Sequence, residues 1–113
     1  MIKLTYSPWG AIQEQRPITD DIISVSTASH GGLYVSFEFL EQMPEFMRST
    51  PYSGGNWFEE DCDWSLVAVC FPEHFKPDVV KMAEKTLQYT YPETWKRFEN
   101  HKATMKSLNR IRG

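Results

Sequence analysis

The sequence is poor in cysteine: only Cys62 and Cys70 occur among its 113 residues. They stand eight residues apart, which separates their Cα atoms by about 12 Å in a helix or about 26 Å in a strand. Both separations are too long for a disulfide, so no disulfide forms within one element. Two reduced thiols are typical of a cytosolic protein.

Long apolar runs are also missing. No segment approaches the roughly 18 apolar residues of a membrane helix, and Met1–Pro8 lacks the apolar core of a secretory signal. We therefore expect a cytoplasmic protein with no membrane partner. The length and the 41% hydrophobic, 24% charged composition are those of one globular domain.

Motifs for metal and phosphate binding are absent as well. The chain has no His-x-x-x-His, Cys-x-x-Cys or spaced aspartate loop. Gly31-Gly32 leads toward a strand, and Gly54-Gly55 has no lysine following it in P-loop register. The sequence therefore predicts neither a metal nor a cofactor.

Charge is unevenly distributed along the chain. Residues 96–113 hold six basic residues and one acid, a net +5, whereas the whole chain carries −3, so residues 1–95 carry −8. A solvated helix face is the simplest explanation of the basic end. Nucleic-acid binding is conceivable only through Lys96–Arg112, because the rest of the chain is acidic.

The first half of the sequence predicts β-structure. Ile2–Tyr6 alternates like a short strand, and Trp9–Pro17 has the mixed polarity of a loop. Ile22–Thr27 is β-branched and predicts the clearest strand. The Gly31-Gly32 turn and the apolar Leu33–Val35 complete a predicted hairpin.

The second half predicts helices. Ser36 is placed to cap a short helix over 37–43, and Pro77 opens an amphipathic helix that runs to about Tyr89. Thr90 and Glu93 have the spacing of a capping box for a last helix, with Trp95 and Phe98 facing inward. The prediction is an α+β fold, in which a small antiparallel sheet formed around an N-terminal hairpin packs against three or four helices. Residues 1–100 form the single domain, and 101–113 a basic C-terminal helical extension of it.

The segment Asn56–Pro72 concentrates four acids, two cysteines and several aromatic side chains. A helix from about Glu59 would place the acids at its positive N-terminal end, with Pro72 after its other end. A strand would instead place every second residue of 62–70 on one face. We favour the helix, although Val67 and Val69 suit a strand.

Two motifs of this chain resemble those of a domain family of unknown function encoded in bacteria, plasmids and phages. The resemblance covers roughly residues 9–100 and rests on Ser26–Gly32 and Trp57–Trp64, with Met43-Pro44 and Phe71-Pro72. The chain departs from the family at Phe58, where a tyrosine is common, and at Glu38-Phe39, where the family has arginine and asparagine. The resemblance implies a mobile-element setting and a role against host defences.

Three chemical readings of these motifs are open. His30 and Cys62, oriented by Asp61 or Glu60, could form a cysteine nucleophile at a helix N-terminus; otherwise Cys62 is a small core residue and His30 a turn residue. Glu59 and Asp63 could share a cation, although compensation of the helix dipole explains such acids without one.

The third reading is a partner-binding surface, and it is the one we favour. Aromatic side chains flanked by acids are common in binding hot spots. The expected function is a non-catalytic inhibitor of a host protein complex, such as an anti-CRISPR or anti-restriction protein, with a small cysteine-dependent enzyme as the alternative. The residues expected to contact the partner are His30, Tyr52, Trp57, Phe58, Glu59, Glu60, Asp61 and Asp63.

Overall fold

A four-stranded antiparallel sheet forms the centre of the computed structural model, which describes residues 2–48 and 55–112. Its strands are β3, β4, β5 and β6, in that spatial order. A separate two-stranded ribbon, β1 with β2, precedes it. The strand bounds are β1 Tyr6–Ser7, β2 Gly10–Ala11, β3 Glu14–Pro17, β4 Ile22–Ser26, β5 Gly31–Val35 and β6 Trp57–Glu59.

Four α-helices complete the α+β fold that the sequence predicts. Two short 3-10 turns, Glu45–Met47 and Pro72–His74, connect parts of the helical layer. The chain from β6 onward contains three of the helices. The helix bounds are α1 Phe37–Leu40, α2 Trp64–Cys70, α3 Pro77–Thr90 and α4 Pro92–Arg112.

The predicted hairpin is confirmed as β4 and β5, which pair from Ile22–Val35 to Ser26–Gly31. The predicted glycine turn is wrong, because Gly31 and Gly32 lie in β5 without positive φ and the chain turns over Thr27–His30. The register of the hairpin places Ile22, Leu33 and Val35 on one face of the sheet. That face packs on the helices to form the core. The other buried side chains of the core include Phe58, Leu66, Val67, Ala83, Leu87 and Phe98.

The opposite face of the sheet has a smaller aromatic cover. Trp9 from the β1–β2 turn packs across Gly32, where an added Cβ would lie only 2.5 Å from the indole ring. Trp57 stands edge-on to Trp9 at 5.8 Å and to Tyr34 at 5.3 Å between ring centroids. Glycine is required at position 32 because the tryptophan occupies the space of a side chain.

The N-terminal predictions are wrong in two places. Of the predicted strand Ile2–Tyr6, Tyr6 alone belongs to a strand, β1, which continues to Ser7 and pairs with Gly10–Ala11. The predicted loop Trp9–Pro17 contains β2 and β3, and β3 pairs along its whole length with β4. β3 is an exposed edge strand with polar side chains, so it lacks the apolar alternation that reveals a half-buried strand.

The Asn56–Pro72 segment contains both a strand and a helix. β6 ends at Glu59, a turn covers residues 60–63, and α2 begins at Trp64. The prediction of a helix rather than a strand for 62–70 is confirmed by α2, but the predicted start at Glu59 is wrong. The acids therefore precede the helix instead of forming its first turn. We name Glu59–Asp63 the acidic turn.

Two helix caps predicted from the sequence have opposite outcomes. Ser36 caps α1 as expected, since its hydroxyl accepts a hydrogen bond from the Phe39 amide at 3.2 Å. The Thr90–Glu93 capping box is wrong, because Thr90 is the last residue of α3 and its hydroxyl points toward Cys62. Phe98 is buried and Trp95 packs against the core, as predicted.

Helix α4 extends past the rest of the fold. Its side chains are exposed at every position from 101 to 108, whereas Phe98, one turn earlier, is only 5% exposed. We name residues 101–108 the α4 overhang. None of the helices in the described part of the chain is long and apolar enough to cross a membrane.

Candidate partner-binding surface

Glu59 holds the backbone of the acidic turn in place through its side chain. Its carboxylate accepts hydrogen bonds from the backbone amides of Asp61 at 2.8 Å, Cys62 at 2.6 Å and Asp63 at 3.0 Å. These amides precede α2 and have no carbonyl partner in the helix. From a position at the end of a strand, Glu59 therefore fixes the backbone of the turn that leads into α2.

Asp63 is the second structural acid of the turn. Its side chain is completely buried, and its Oδ1 accepts a hydrogen bond of 2.8 Å from the Tyr91 hydroxyl. Tyr91 lies between α3 and α4, so this bond joins the turn to the helix junction. The expectation that Asp63 contacts a partner is wrong, because the fold covers it.

Cys62 also has a structural contact across the same junction. The Thr90 hydroxyl lies 3.7 Å from Cys62 Sγ, in hydrogen-bond geometry. The Cys62 carbonyl accepts from the Ser65 hydroxyl at 2.5 Å. Cys62 is half-buried, between the acidic turn and the end of α3.

His30 lies in the turn of the β4–β5 hairpin. Its carbonyl accepts from the Thr27 amide at 2.7 Å and from the Thr27 hydroxyl at 2.8 Å, and its side chain is exposed. Within residues 2–48 and 55–112, no hydrogen bond joins the side chains of His30, Cys62 and Asp61. The predicted His30–Cys62 pair is therefore not hydrogen-bonded in this structure.

Glu60 connects the acidic turn to the hairpin. Its amide donates to the Gly31 carbonyl at 3.0 Å, and its carboxylate lies so close to Gly31 that an added Cβ would stand 2.8 Å from Oε2. An added Cβ at Gly31 would also stand 2.8 Å from the Val25 carbonyl oxygen, and one at Gly32 would clash with the Phe58 carbonyl oxygen and with Trp9, so both glycines are required by the close approach of neighbouring backbone. Together these contacts explain the paired glycines of the first motif.

A groove of about 290 Å³ opens beside Glu60, between the β4–β5 hairpin and the start of α2. Trp64 and Phe75 provide aromatic walls, and Ser24 and Ser26 are on the strand side. A carboxylate next to aromatic rings is suited to the guanidinium or ammonium group of a basic side chain. No sequence pattern indicates a role for Phe75, which lies beyond both motifs.

The remaining predicted partner contacts divide between exposed and covered positions. Glu60 and Asp61 are exposed, whereas Phe58 is completely buried in the core, so its predicted role in partner contact is wrong. Trp57 is half-buried in the aromatic cover. Tyr52 lies outside the described residues.

Metal binding gains no support from the arrangement of the acids. The described part of the chain contains no group of three or more histidine, cysteine, aspartate or glutamate side chains placed to hold an ion. Glu59 faces backbone amides and Asp63 faces a tyrosine hydroxyl, so the two carboxylates serve separate structural contacts.

These observations define a small α+β protein in which two exposed acids remain beside an aromatic groove. A family model described as a domain of unknown function, DUF7007, matches residues 3–112, and the chain belongs to that family. The resemblance to a family of unknown function is thereby confirmed. No curated protein and no solved structure matches the chain.

Proposed function

We propose that this protein is a non-catalytic binding protein that docks its acidic turn onto a basic surface of a host protein complex. The observation that carries the proposal is the division of the four acids. Glu59 and Asp63 are engaged by the fold, whereas Glu60 and Asp61 are exposed and Glu60 lines the Trp64–Phe75 groove. Glu60 would pair with an arginine or lysine that enters the groove.

The chemistry of the groove supports an arginine in particular. Its planar guanidinium can stack on an aromatic ring and donate two hydrogen bonds to a carboxylate. Ser24 and Ser26 add hydroxyl acceptors on the strand side. His30 stands exposed in the neighbouring hairpin turn and would lie at the edge of the contact.

The setting proposed for this activity is that of a phage or plasmid accessory protein, acting in the host cytoplasm. A CRISPR or restriction complex is a suitable target, because such complexes hold nucleic acid on basic surfaces that an acidic protein can occupy. Binding by charge complementarity requires neither a cofactor nor a covalent step. Cys62 contacts Thr90 and has a structural role in this proposal.

A pull-down with matched charge reversals tests the proposal. The tagged protein is incubated with host lysate at physiological salt, and retained proteins are identified by mass spectrometry. We expect Glu60→Arg with Asp61→Arg to abolish retention of a basic target. Asp20→Arg is the control, because Asp20 is an exposed acid in the loop between β3 and β4, at the opposite end of the sheet.

A short peptide tests the groove itself. An arginine peptide should shift the amide resonance of Glu60 and the indole resonance of Trp64, and the citrulline analogue, which lacks the charge, should not. Equal retention of the target by wild type and the double variant would refute docking through the acidic turn. Equal shifts with arginine and citrulline would refute recognition of a basic side chain.

A further inference from the structure

A second and larger groove lies on the helical side of the molecule, away from the acidic turn. It has a volume of about 640 Å³ and lies between the end of α2, the segment after α1, and α4. This volume is in the range of sites that bind a sizeable ligand. Its apolar surface comes from Pro44, Val69, Cys70, Pro72, Phe98 and Met105.

The α4 overhang continues the apolar surface of the groove. Phe98, Met105 and Leu108 follow one another at spacings of seven and three residues, which places them along one helix face. Phe98 is buried, but Met105 is 46% exposed and Leu108 41% exposed. The stripe is about 15 Å long, or nearly three helical turns, and its outer half has no cover among the described residues.

Positive charge flanks this apolar stripe. His101, Lys102 and Lys106 line the groove, and the Lys102 ammonium lies 5.0 Å from the Phe98 ring centroid and 5.5 Å from that of Trp95. Glu99 is the only acid from residue 96 to the end of the sequence. Two overhangs packed side by side would bring like charges together, which argues against pairing with a second copy through this stripe.

We propose that this groove and the α4 overhang bind an acidic amphipathic helix of a partner protein. The apolar face of that helix would cover Met105 and Leu108 beyond buried Phe98, and its flanking carboxylates would pair with Lys102 and Lys106. An apolar stripe of this length matches a helix better than a phosphate backbone, which needs positive charge without an apolar floor. The site is separate from the acidic turn and selects the opposite charge.

A designed peptide provides the direct probe. It has about 18 residues, five helical turns, with leucines at heptad spacing and glutamates beside them, and its binding to the full chain is followed by fluorescence anisotropy. One control peptide replaces the glutamates by lysines, and another replaces the leucines by serines. We expect the acidic peptide to bind about tenfold or more tightly than either control.

Two pairs of matched variants locate the site. Met105→Asp should weaken peptide binding about tenfold or more, as expected for loss of an apolar anchor, whereas Met82→Asp on α3 should leave it unchanged. Met82 is 59% exposed and lies outside the groove. Lys106→Glu should weaken binding of the acidic peptide, and Lys85→Glu, also exposed on α3, should not.

Each contrary result overturns the proposal. Failure of the acidic peptide to bind, or equal binding of the lysine peptide, removes the argument from charge. A dimer in light scattering that Met105→Asp dissociates would assign the groove to a second copy of this chain. Duplex DNA that binds more tightly than the acidic peptide, with the same dependence on Lys106, would assign the surface to nucleic acid.

Discussion

The acidic turn and the α4 overhang use their side chains in opposite ways. In the turn, Glu59, Cys62 and Asp63 all have partners within the chain, so only two of four acids remain exposed. In the overhang, every side chain from 101 to 108 is exposed, and its apolar stripe is covered by nothing in the described structure. A dense cluster of reactive residue types can therefore be mainly structural, while a plain basic helix presents the larger free surface.

The largest contrast is expected from the same substitution made in the core, in the helix that follows the acidic turn, and on the α4 overhang. Leu66 is 1% exposed in α2, and Leu66→Asp would bury an unpaired charge, which should abolish cooperative folding. Leu108→Asp places the same charge on the overhang and should change the free energy of unfolding by no more than about 0.5 kcal/mol. Thermal melting followed by circular dichroism compares the two. A Leu66→Asp protein that melts like wild type would contradict the core assignment.

Loss of the hydrogen bond between the acidic turn and the α3–α4 junction should have the next largest effect on stability. Tyr91→Phe removes the hydroxyl that donates to buried Asp63, and should lower the free energy of unfolding by about 1–3 kcal/mol. Tyr89→Phe removes the same group from a side chain that is 91% exposed, and should be nearly neutral. Urea denaturation measures both, and equal stabilities would show that the Tyr91 hydroxyl contributes nothing.

Cys70, which lines the larger groove, makes the free energy of unfolding depend on pH. Burial raises the pKa of the Cys70 thiol from 9.0 to about 12, and its Sγ lies 3.7 Å from Met47 Sδ. The unfolded chain releases this proton at lower pH than the folded protein, so the contribution of Cys70 to stability is complete below pH 9 and is lost between pH 9 and about 12.

The difference in stability between wild type and Cys70→Val isolates this contribution from other titrations. It should be constant below pH 9 and should then move against wild type by up to about 1.4 kcal/mol per pH unit. Urea denaturation at a series of pH values provides the measurement. A difference that stays constant up to pH 11 would show that the thiol ionises as easily in the folded protein as in the unfolded chain.

The smallest difference in stability is expected between substitutions of two neighbouring acids in the acidic turn. Glu59→Gln keeps an acceptor oxygen but removes the charge that three amides share, and should lower the free energy of unfolding by about 1 kcal/mol. Glu60→Gln changes an exposed carboxylate and should alter stability by less than about 0.5 kcal/mol. If Glu60→Gln is the more destabilising substitution, the assignment of structural and free acids is reversed.

Local signals in the sequence predicted the elements that local interactions form. The strands of the β4–β5 hairpin followed from β-branched and apolar residues, the cap of α1 from Ser36, and the start of α3 from Pro77. The glycine pair was misleading, because both glycines lie in β5 and not in the turn. β3 was missed because its polar, exposed side chains hide the alternation of a strand, and β6 because three residues are too few to show one. Sequence alone could not predict these strands without knowing which neighbour they pair with.

The candidate site was less predictable than the fold. The sequence drew attention to Glu60 and Asp61, but it gave the same weight to Asp63 and Phe58, which the fold buries. The bond from Tyr91 to Asp63 spans 28 residues and follows no local pattern. Only the packing of α3 against α2 brings these side chains together, so their roles had to be read from the structure.

The Asp63–Tyr91 hydrogen bond also affects the position of the distal end of α4. Tyr91 immediately precedes α4, a helix of 21 residues and thus about 31 Å in length. The bond lies at the base of α4, where a rotation of the helix by about 10° would move its distal end by about 5 Å. The Asp63–Tyr91 bond at the base of α4 and the burial of Phe98 together fix the direction in which the α4 overhang projects.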